Sequence, residues 1–271
     1  MVTIEHYNVS DAQLLSRVIG DIDAPYQTFD RQHGLGIHTR SLADYWNLSG
    51  NERTVSIMKK VDVIQAILSD NNAVAEENRK VLDGVGVFGI NVMASPGAGK
   101  TSMILETFTR LPEGTKLCVV EGDLASSLDA ELIANKGIPV VQINTGGGCH
   151  LDASMIRNAL PRLPLDEIQI LMVENVGNLV CPANFLLGTH LNVVVASTPE
   201  GHDKPFKYPG MFNAADVVLI NKFDLSEVFD FDLEYFSSGV RMLKPDVPII
   251  PISCRTGAGL DEWVEWLLEN R

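Results

Sequence analysis

Between Val87 and Ile252 short apolar runs recur at near-regular intervals, and this repetition restricts the possible fold more than any other feature. The runs are Val87–Met93, Lys116–Glu121, Val140–Ile143, Ile168–Val173, Leu191–Ala196, Val217–Ile220 and Val247–Ile252. Amphipathic stretches separate them, among them Thr101–Arg110, Ser127–Asn135, Ala153–Leu160 and Gly259–Glu269. A strand with one wet face alternates apolar and polar residues, whereas near-continuous apolar runs require cover on both faces. The expected fold is therefore α/β: a mostly parallel sheet with helices on both faces, spanning residues 85–271. Ligands of such sheets bind outside the carboxyl ends of the strands, so the loops after the runs are where chemistry is expected.

Residues 1–84 lack this alternation and read as an N-terminal extension. Positions 55–81 have helical spacing, with Ile57, Val61, Ile64, Ile67 and Leu68 on one side, and positions 25–51 read as irregular. A chain of 271 residues accommodates one large domain with such an appendage. With 45% hydrophobic and 21% charged residues, wholesale disorder is excluded. A net charge of −14 argues against a nucleic-acid partner, which needs a dense Lys/Arg face. Four cysteines are too few for a disulfide scaffold in a chain this long. The first residues lack a basic segment followed by an apolar run, and no apolar stretch reaches membrane-spanning length. A cytoplasmic protein without membrane attachment is expected.

The loop after the first run reads Ala94-Ser-Pro-Gly-Ala-Gly-Lys-Thr-Ser102. It follows the phosphate-binding pattern Gly-x-x-x-x-Gly-Lys-Ser/Thr, with Ala94 at the first glycine position. Small residues such as Gly97, Ala98 and Gly99 let backbone N–H groups wrap phosphates at a helix N-terminus that continues through Ser102. Lys100 would reach the terminal phosphates, and the Thr101 hydroxyl would bind Mg²⁺. About 120 residues later Asn221-Lys222-Phe-Asp224 ends another apolar run. A carboxylate there accepts hydrogen bonds from guanine N1–H and the 2-amino group. Adenine offers neither, so GTP and GDP are the expected nucleotides. Ser253, in Ser253-Cys-Arg-Thr256, would lie near the base. Glu121-Gly-Asp123 and Glu174-Asn-Val-Gly177 end two further runs. Asp123 is the preferred acid on the Mg²⁺ side, Glu174 a second candidate, and the Gly177 N–H a sensor of the terminal phosphate.

A second constellation is Gly146-Gly-Gly-Cys149-His150 with Val180-Cys181-Pro182. Thiolates with imidazole select ions such as Zn²⁺ or Ni²⁺ over Mg²⁺. Two sulfurs and one nitrogen leave a tetrahedral site incomplete, to be closed by water or by a second subunit. A catalytic Cys–His pair is the rival reading, and adjacent residues seldom set a base against its own neighbour. Cys118, inside a run, and Cys254 read as packing residues.

Taken together these segments resemble the hydrogenase nickel-incorporation GTPases (HypB), a branch of the SIMIBI P-loop proteins. Further matching stretches are Ala75-Glu-Glu-Asn-Arg79, Gly148-Cys-His-Leu-Asp-Ala153 and Glu200-Gly-His-Asp-Lys-Pro-Phe-Lys-Tyr-Pro209, and the likeness covers about three-quarters of the chain. The resemblance implies a GTPase that forms a homodimer in its GTP state and holds a metal, through Cys149, His150 and Cys181, at the dimer interface. It also implies nickel delivery to a metalloenzyme precursor with a small nickel-binding accessory protein. Slow hydrolysis is expected, because no arginine finger is evident in the chain. Residues 1–69 hold no cysteine and only His6, His33 and His38, so a nickel-storage tract is not expected. Alternative readings are a SIMIBI GTPase serving another metalloenzyme, such as a cobalamin-dependent one, or a nucleotide-binding scaffold with structural cysteines.

Overall fold

The computed structural model describes residues 63–124 and 126–271. Expectations that fall on earlier positions, including the start of a helix near Val55 and the irregular stretch 25–51, lie outside the described residues. Residues 64–271 form one compact unit.

Helix α1 (Val63–Val85) leads into strand β1 (Phe88–Ala94), helix α2 (Lys100–Arg110), β2 (Leu117–Asp123), α3 (Leu128–Ala134), β3 (Val140–Asn144), α4 (Ala153–Ala159) and β4 (Ile170–Glu174). After β4 come β5 (Leu191–Ser197), short helices α5 (Lys204–Lys207) and α6 (Pro209–Asn213), β6 (Val217–Asn221), α7 (Leu233–Leu243), β7 (Ile249–Pro251) and α8 (Leu260–Glu269). The strands form one seven-stranded sheet in the order β3-β2-β4-β1-β5-β6-β7. Every pairing is parallel.

Both faces are covered, as the apolar runs require. One layer packs α2, α3 and α8 on the sheet through Met103, Ile104, Ile133, Leu260, Trp263 and Leu267. The buried Trp263 indole donates to Thr107 Oγ1 at 2.8 Å, so its N–H is satisfied within the apolar layer. The opposite layer has two clusters. Leu82 of α1 and Ile156 of α4 cover one half of the sheet. Phe212 of α6 and Phe236 and Val240 of α7 cover the other.

The register brings the chemically interesting strand ends together. On neighbouring strands Val92 lies beside Glu174, and Glu174 beside Glu121. Strand β2 continues to Asp123, past the expected end at Glu121, because Gly122 and Asp123 pair with Ile143 and Asn144 of β3. Ladder pairing overrides the poor strand preference of acidic residues there. Helix α7 was not among the expected helices. Its Ser237-Ser-Gly239 segment is poor in helix formers, yet Gly239 is buried where a Cβ would meet the Phe206 ring at 2.7 Å. Close packing decides that helix.

Candidate functional site

The phosphate-type loop lies between β1 and α2. Gly99, the residue before the helix, has φ of +100°, a left-handed conformation that glycine adopts without penalty. A side chain there would also collide with the Asn221 amide. Asn221 is buried, and its Nδ2 donates to Ala98 O at 2.9 Å. Its Oδ1 accepts from Lys222 N at 2.7 Å and from Cys254 N at 3.2 Å. Lys222 Nζ donates to Gly97 O at 2.7 Å. The Asn221–Asp224 segment, some 120 residues away in sequence, thus braces the loop directly. Thr198 supports it from β5's end, its hydroxyl donating to Lys222 O at 2.7 Å. Asp224 accepts from Ser253 Oγ at 2.7 Å and lies 3.2 Å from Arg255 Nε. Ser253 therefore orients the carboxylate with its side chain.

Three acids crowd the strand ends beside this loop. Glu174 Oε1 accepts from Thr101 Oγ1 at 2.9 Å, with Lys100 Nζ 4.0 Å away. Burial pushes its carboxyl up to about 7, against the pull of Lys100. Glu121, next to it across the sheet, is pushed up to about 8 by burial and then by the Glu174 charge. Glu121, Asp123 and Asp129 each present a carboxylate oxygen, all within 4.8 Å of one another. Asp123 also accepts from Ser126 N at 3.0 Å. The acid that meets Thr101 is thus Glu174, while Asp123 groups with Glu121 and with Asp129, which sequence reasoning did not single out. Asp129 is half-buried on α3, and only the fold turns that helix face toward β2. The buried Oε2 atoms of Glu121 and Glu174 have no hydrogen-bond partner among the described residues. Such orphaned carboxylate oxygens beside a threonine hydroxyl fit a divalent cation such as Mg²⁺.

The sulfur–imidazole group assembles as the sequence suggested. Cys149 Sγ, a His150 ring nitrogen and Cys181 Sγ all lie within 4.8 Å of one another. Cys149 Sγ is 3.6 Å from His150 Nδ1. The His150 ring stacks on Phe185 at a centroid distance of 3.8 Å. Partial burial lowers its pKa, favouring the neutral imidazole that can ligate a metal. Hydrogen bonding to Cys181 holds the Cys149 thiol above its ordinary value. This donor set fits Ni²⁺ or Zn²⁺. Cys118 and Cys254 stand apart from it, and burial raises their thiols to about 12 and about 11. Cys118 packs within one apolar cluster and Cys254 against another.

One loop joins the two sites. Asn178 N donates to Ala94 O at 2.8 Å, at the start of the phosphate-type loop. Its side-chain Nδ2 donates to Cys149 O at 3.2 Å. Gly177 packs against Pro96, where a Cβ would meet backbone at 3.0 Å. The stretch from Glu174 to Cys181 therefore touches both constellations, a connection invisible in sequence because it depends on backbone atoms.

A family model described as CobW/HypB/UreG, nucleotide-binding domain, matches residues 89–251. The chain belongs to the CobW/HypB/UreG family. It is 46% identical over 217 residues to hydrogenase maturation factor HypB of Escherichia coli K12, covering 80% of this chain and 75% of that one. A probable HypB of Methanocaldococcus jannaschii is 40% identical over 207 residues, 76% of this chain and 94% of the relative. Among solved structures, Helicobacter pylori HypB in complex with nickel superposes with a TM-score of 0.71 at 42% identity, over 74% of this chain and 94% of that one. Archaeoglobus fulgidus HypB gives 0.70 at 37% identity, over 74% and 98%. Within the family, then, the chain is a homologue of the HypB hydrogenase maturation factors, with a nucleotide-binding P-loop domain. Among the described residues no helix is long and apolar enough to cross a membrane.

Proposed function

We propose that the chain is a GTP-hydrolysing metallochaperone that carries nickel, and can also hold zinc, for insertion into a metalloenzyme of the hydrogenase type. The observation that carries this reading is Asn178, whose backbone holds the phosphate-type loop while its side chain holds Cys149. Occupancy of one site is thereby felt at the other.

In this reading Gly97, Ala98, Gly99, Lys100, Thr101 and Ser102 cradle the phosphates. Thr101 and Glu174, with Asp123 close by, hold Mg²⁺, which supplies charge neutralisation on the phosphate oxygens when bound. Asp224, oriented by Ser253 and supported through Asn221 and Lys222, reads the guanine edge. Gly177, packed on Pro96, senses the terminal phosphate through its N–H. Lys100 supplies positive charge to the transferring phosphoryl group, and without an arginine finger hydrolysis is slow. Cys149, His150 and Cys181 bind the nickel cargo. Three donors are too few to enclose it, so the same residues of a second copy, brought in by GTP-dependent homodimerisation, complete the site. Hydrolysis separates the copies and releases the metal to a precursor enzyme, with a small nickel-binding accessory protein as co-partner. The setting is cytoplasmic, and the GTPase domain takes in α1, which belongs to the same compact unit, so it begins earlier than the expected residue 85.

Measuring Ni²⁺ and Zn²⁺ affinity with and without a non-hydrolysable GTP analogue tests the reading. The expected result is at least tenfold tighter binding with the analogue, and loss of binding in Cys149→Ala. Equal affinities in both states would refute the coupling.

A further inference from the structure

Helix α1 carries Ala75-Glu-Glu-Asn-Arg79, a matching segment to which the proposed chemistry gives no role. Glu76 and Glu77 face solvent, but two asparagines of the helix do not. Asn71 and Asn78, seven residues or about two helical turns apart, share one face and are 8% and 1% exposed. Asn71 Nδ2 donates to Leu186 O at 2.8 Å, and its Oδ1 accepts from Ala153 N at 2.9 Å. Asn78 Nδ2 donates to Ala153 O at 2.8 Å and to Leu187 O at 3.0 Å. Each asparagine thus bonds the same two stretches of chain, one just after His150 and the other just after Cys181.

The consequence is a closed mechanical circuit. Ala153 is the first residue of α4, where a backbone N–H has no acceptor within its own helix, and Asn71 supplies one. Three residues upstream is His150. Leu186 follows Phe185, the ring that stacks on His150. Phe185 lies four residues after Cys181 in the same short turn-rich stretch. Arg79 extends the clamp by donating to Gly188 O at 3.0 Å and to Thr189 O. A helix merely docked on the domain would need none of this double bridging; buried apolar contacts like that of Leu82 suffice.

We propose that Asn71 and Asn78 are positioning residues that set the spacing of Cys149, His150 and Cys181 by pinning both ligand-bearing segments to α1, with Phe185 transmitting that alignment to the His150 ring. The inference rests on the metal-site reading above and goes beyond it by assigning the site's alignment to a helix outside it. Outer partners that orient metal ligands typically contribute 10–100-fold in metal affinity.

The test uses the full chain with Asn78→Leu, an apolar side chain of similar size. Zn²⁺ affinity is measured by competition with a chromophoric chelator, Ni²⁺–thiolate charge-transfer absorption gives the geometry, and nucleotide-analogue affinity and Tm are measured in parallel. At least tenfold weaker Zn²⁺ binding and an altered nickel–thiolate band, with analogue affinity held within twofold, are expected. Unchanged metal affinity and an unchanged band, whatever the Tm, would overturn the inference. Because Asn78→Leu could fail to fold, Phe185→Leu and Phe185→Tyr provide a second arm: Leu should weaken Zn²⁺ binding, and Tyr, which restores a stacking ring, should recover it. Equal affinities for those two variants would also refute the proposal. Wild-type binding that survives Cys149→Ala would instead bring down the metal-site reading itself. Binding lost in Cys149→Ala but intact in Asn78→Leu and Phe185→Leu would remove only the positioning role.

Discussion

Gly122→Ala tests the contact between the acidic strand end and the cysteine loop. Gly122 lies between Glu121 and Asp123, and a Cβ there would meet Leu151 Cδ1 and Cγ at 2.7 Å and Cδ2 at 2.8 Å. Leu151 is wholly buried, directly follows His150, and its N–H is held by Asn175 Oδ1 at 3.0 Å. The new methyl would contribute about 0.8 kcal/mol of burial, and replacing a strand glycine about 0.5–1 kcal/mol. Against this stands overlap with three atoms of a side chain that has nowhere to move, for which overpacking costs run to about 1–3 kcal/mol or more. Contact at 2.7–2.8 Å with three atoms of a buried side chain places the cost at the top of that range, about 3 kcal/mol, so a net destabilisation of about 1–2 kcal/mol is expected, read by urea unfolding. For a domain of this size that lowers Tm by roughly 2–8 °C. The diagnostic measurement is the double-mutant cycle with Leu151→Ala. Leu151→Ala alone should cost about 2–5 kcal/mol through its cavity. Combined with Gly122→Ala the cost should fall below the sum by about 1 kcal/mol or more, because the added methyl enters vacated space. Zn²⁺ affinity of Gly122→Ala should fall with stability, since Leu151 moves with His150. Additive energies, or a Gly122→Ala protein as stable as wild type, would refute the steric argument.

Three further outcomes follow from the site. Glu121 has a folded pKa of about 8 against an ordinary value near 4.5, so its stabilising contribution is complete below pH 4.5 and is lost as pH rises toward 8. In nucleotide- and metal-free protein, urea unfolding should show wild type losing about 3 kcal/mol more than Glu121→Gln between pH 5 and 7.5, at about 1.4 kcal/mol per pH unit. Asn221→Ala removes the donor to Ala98 O and the acceptor for two backbone N–H groups, and should cost about 2–3 kcal/mol by denaturant titration together with most of the nucleotide affinity. Asp224→Asn should lower affinity for a guanosine nucleotide by 10-fold or more in equilibrium titration while leaving Tm within a few degrees, because it changes the acceptor edge and keeps the shape.

The described part of the fold was legible in the apolar runs because a parallel sheet covered on both faces leaves no other composition for its strands. The runs corresponding to β1, β3, β5 and β6 lie within a residue of their observed bounds. Displacements occurred where pairing overrode composition, as at Gly122 and Asp123, and α7 was missed because its glycine is required by the Phe206 ring. The phosphate-type loop was likewise readable, since Gly97, Gly99, Lys100 and Thr101 are constrained locally.

Sequence alone determined which residue types were available: an Asp just after a strand, a loop of small residues, two cysteines and a histidine beyond strand ends. Only the tertiary structure decided that Glu174 meets Thr101, that Glu121 lies beside it at an unusual pKa, and that Asn221 braces the loop before α2. It alone put Asn71 and Asn78 of α1 across both segments that follow the Cys149–His150 pair and Cys181. The physical reason is common to all of these. Strand order and register set which side chains become neighbours, and a buried polar atom is satisfied by whichever backbone group the fold delivers, however distant in sequence.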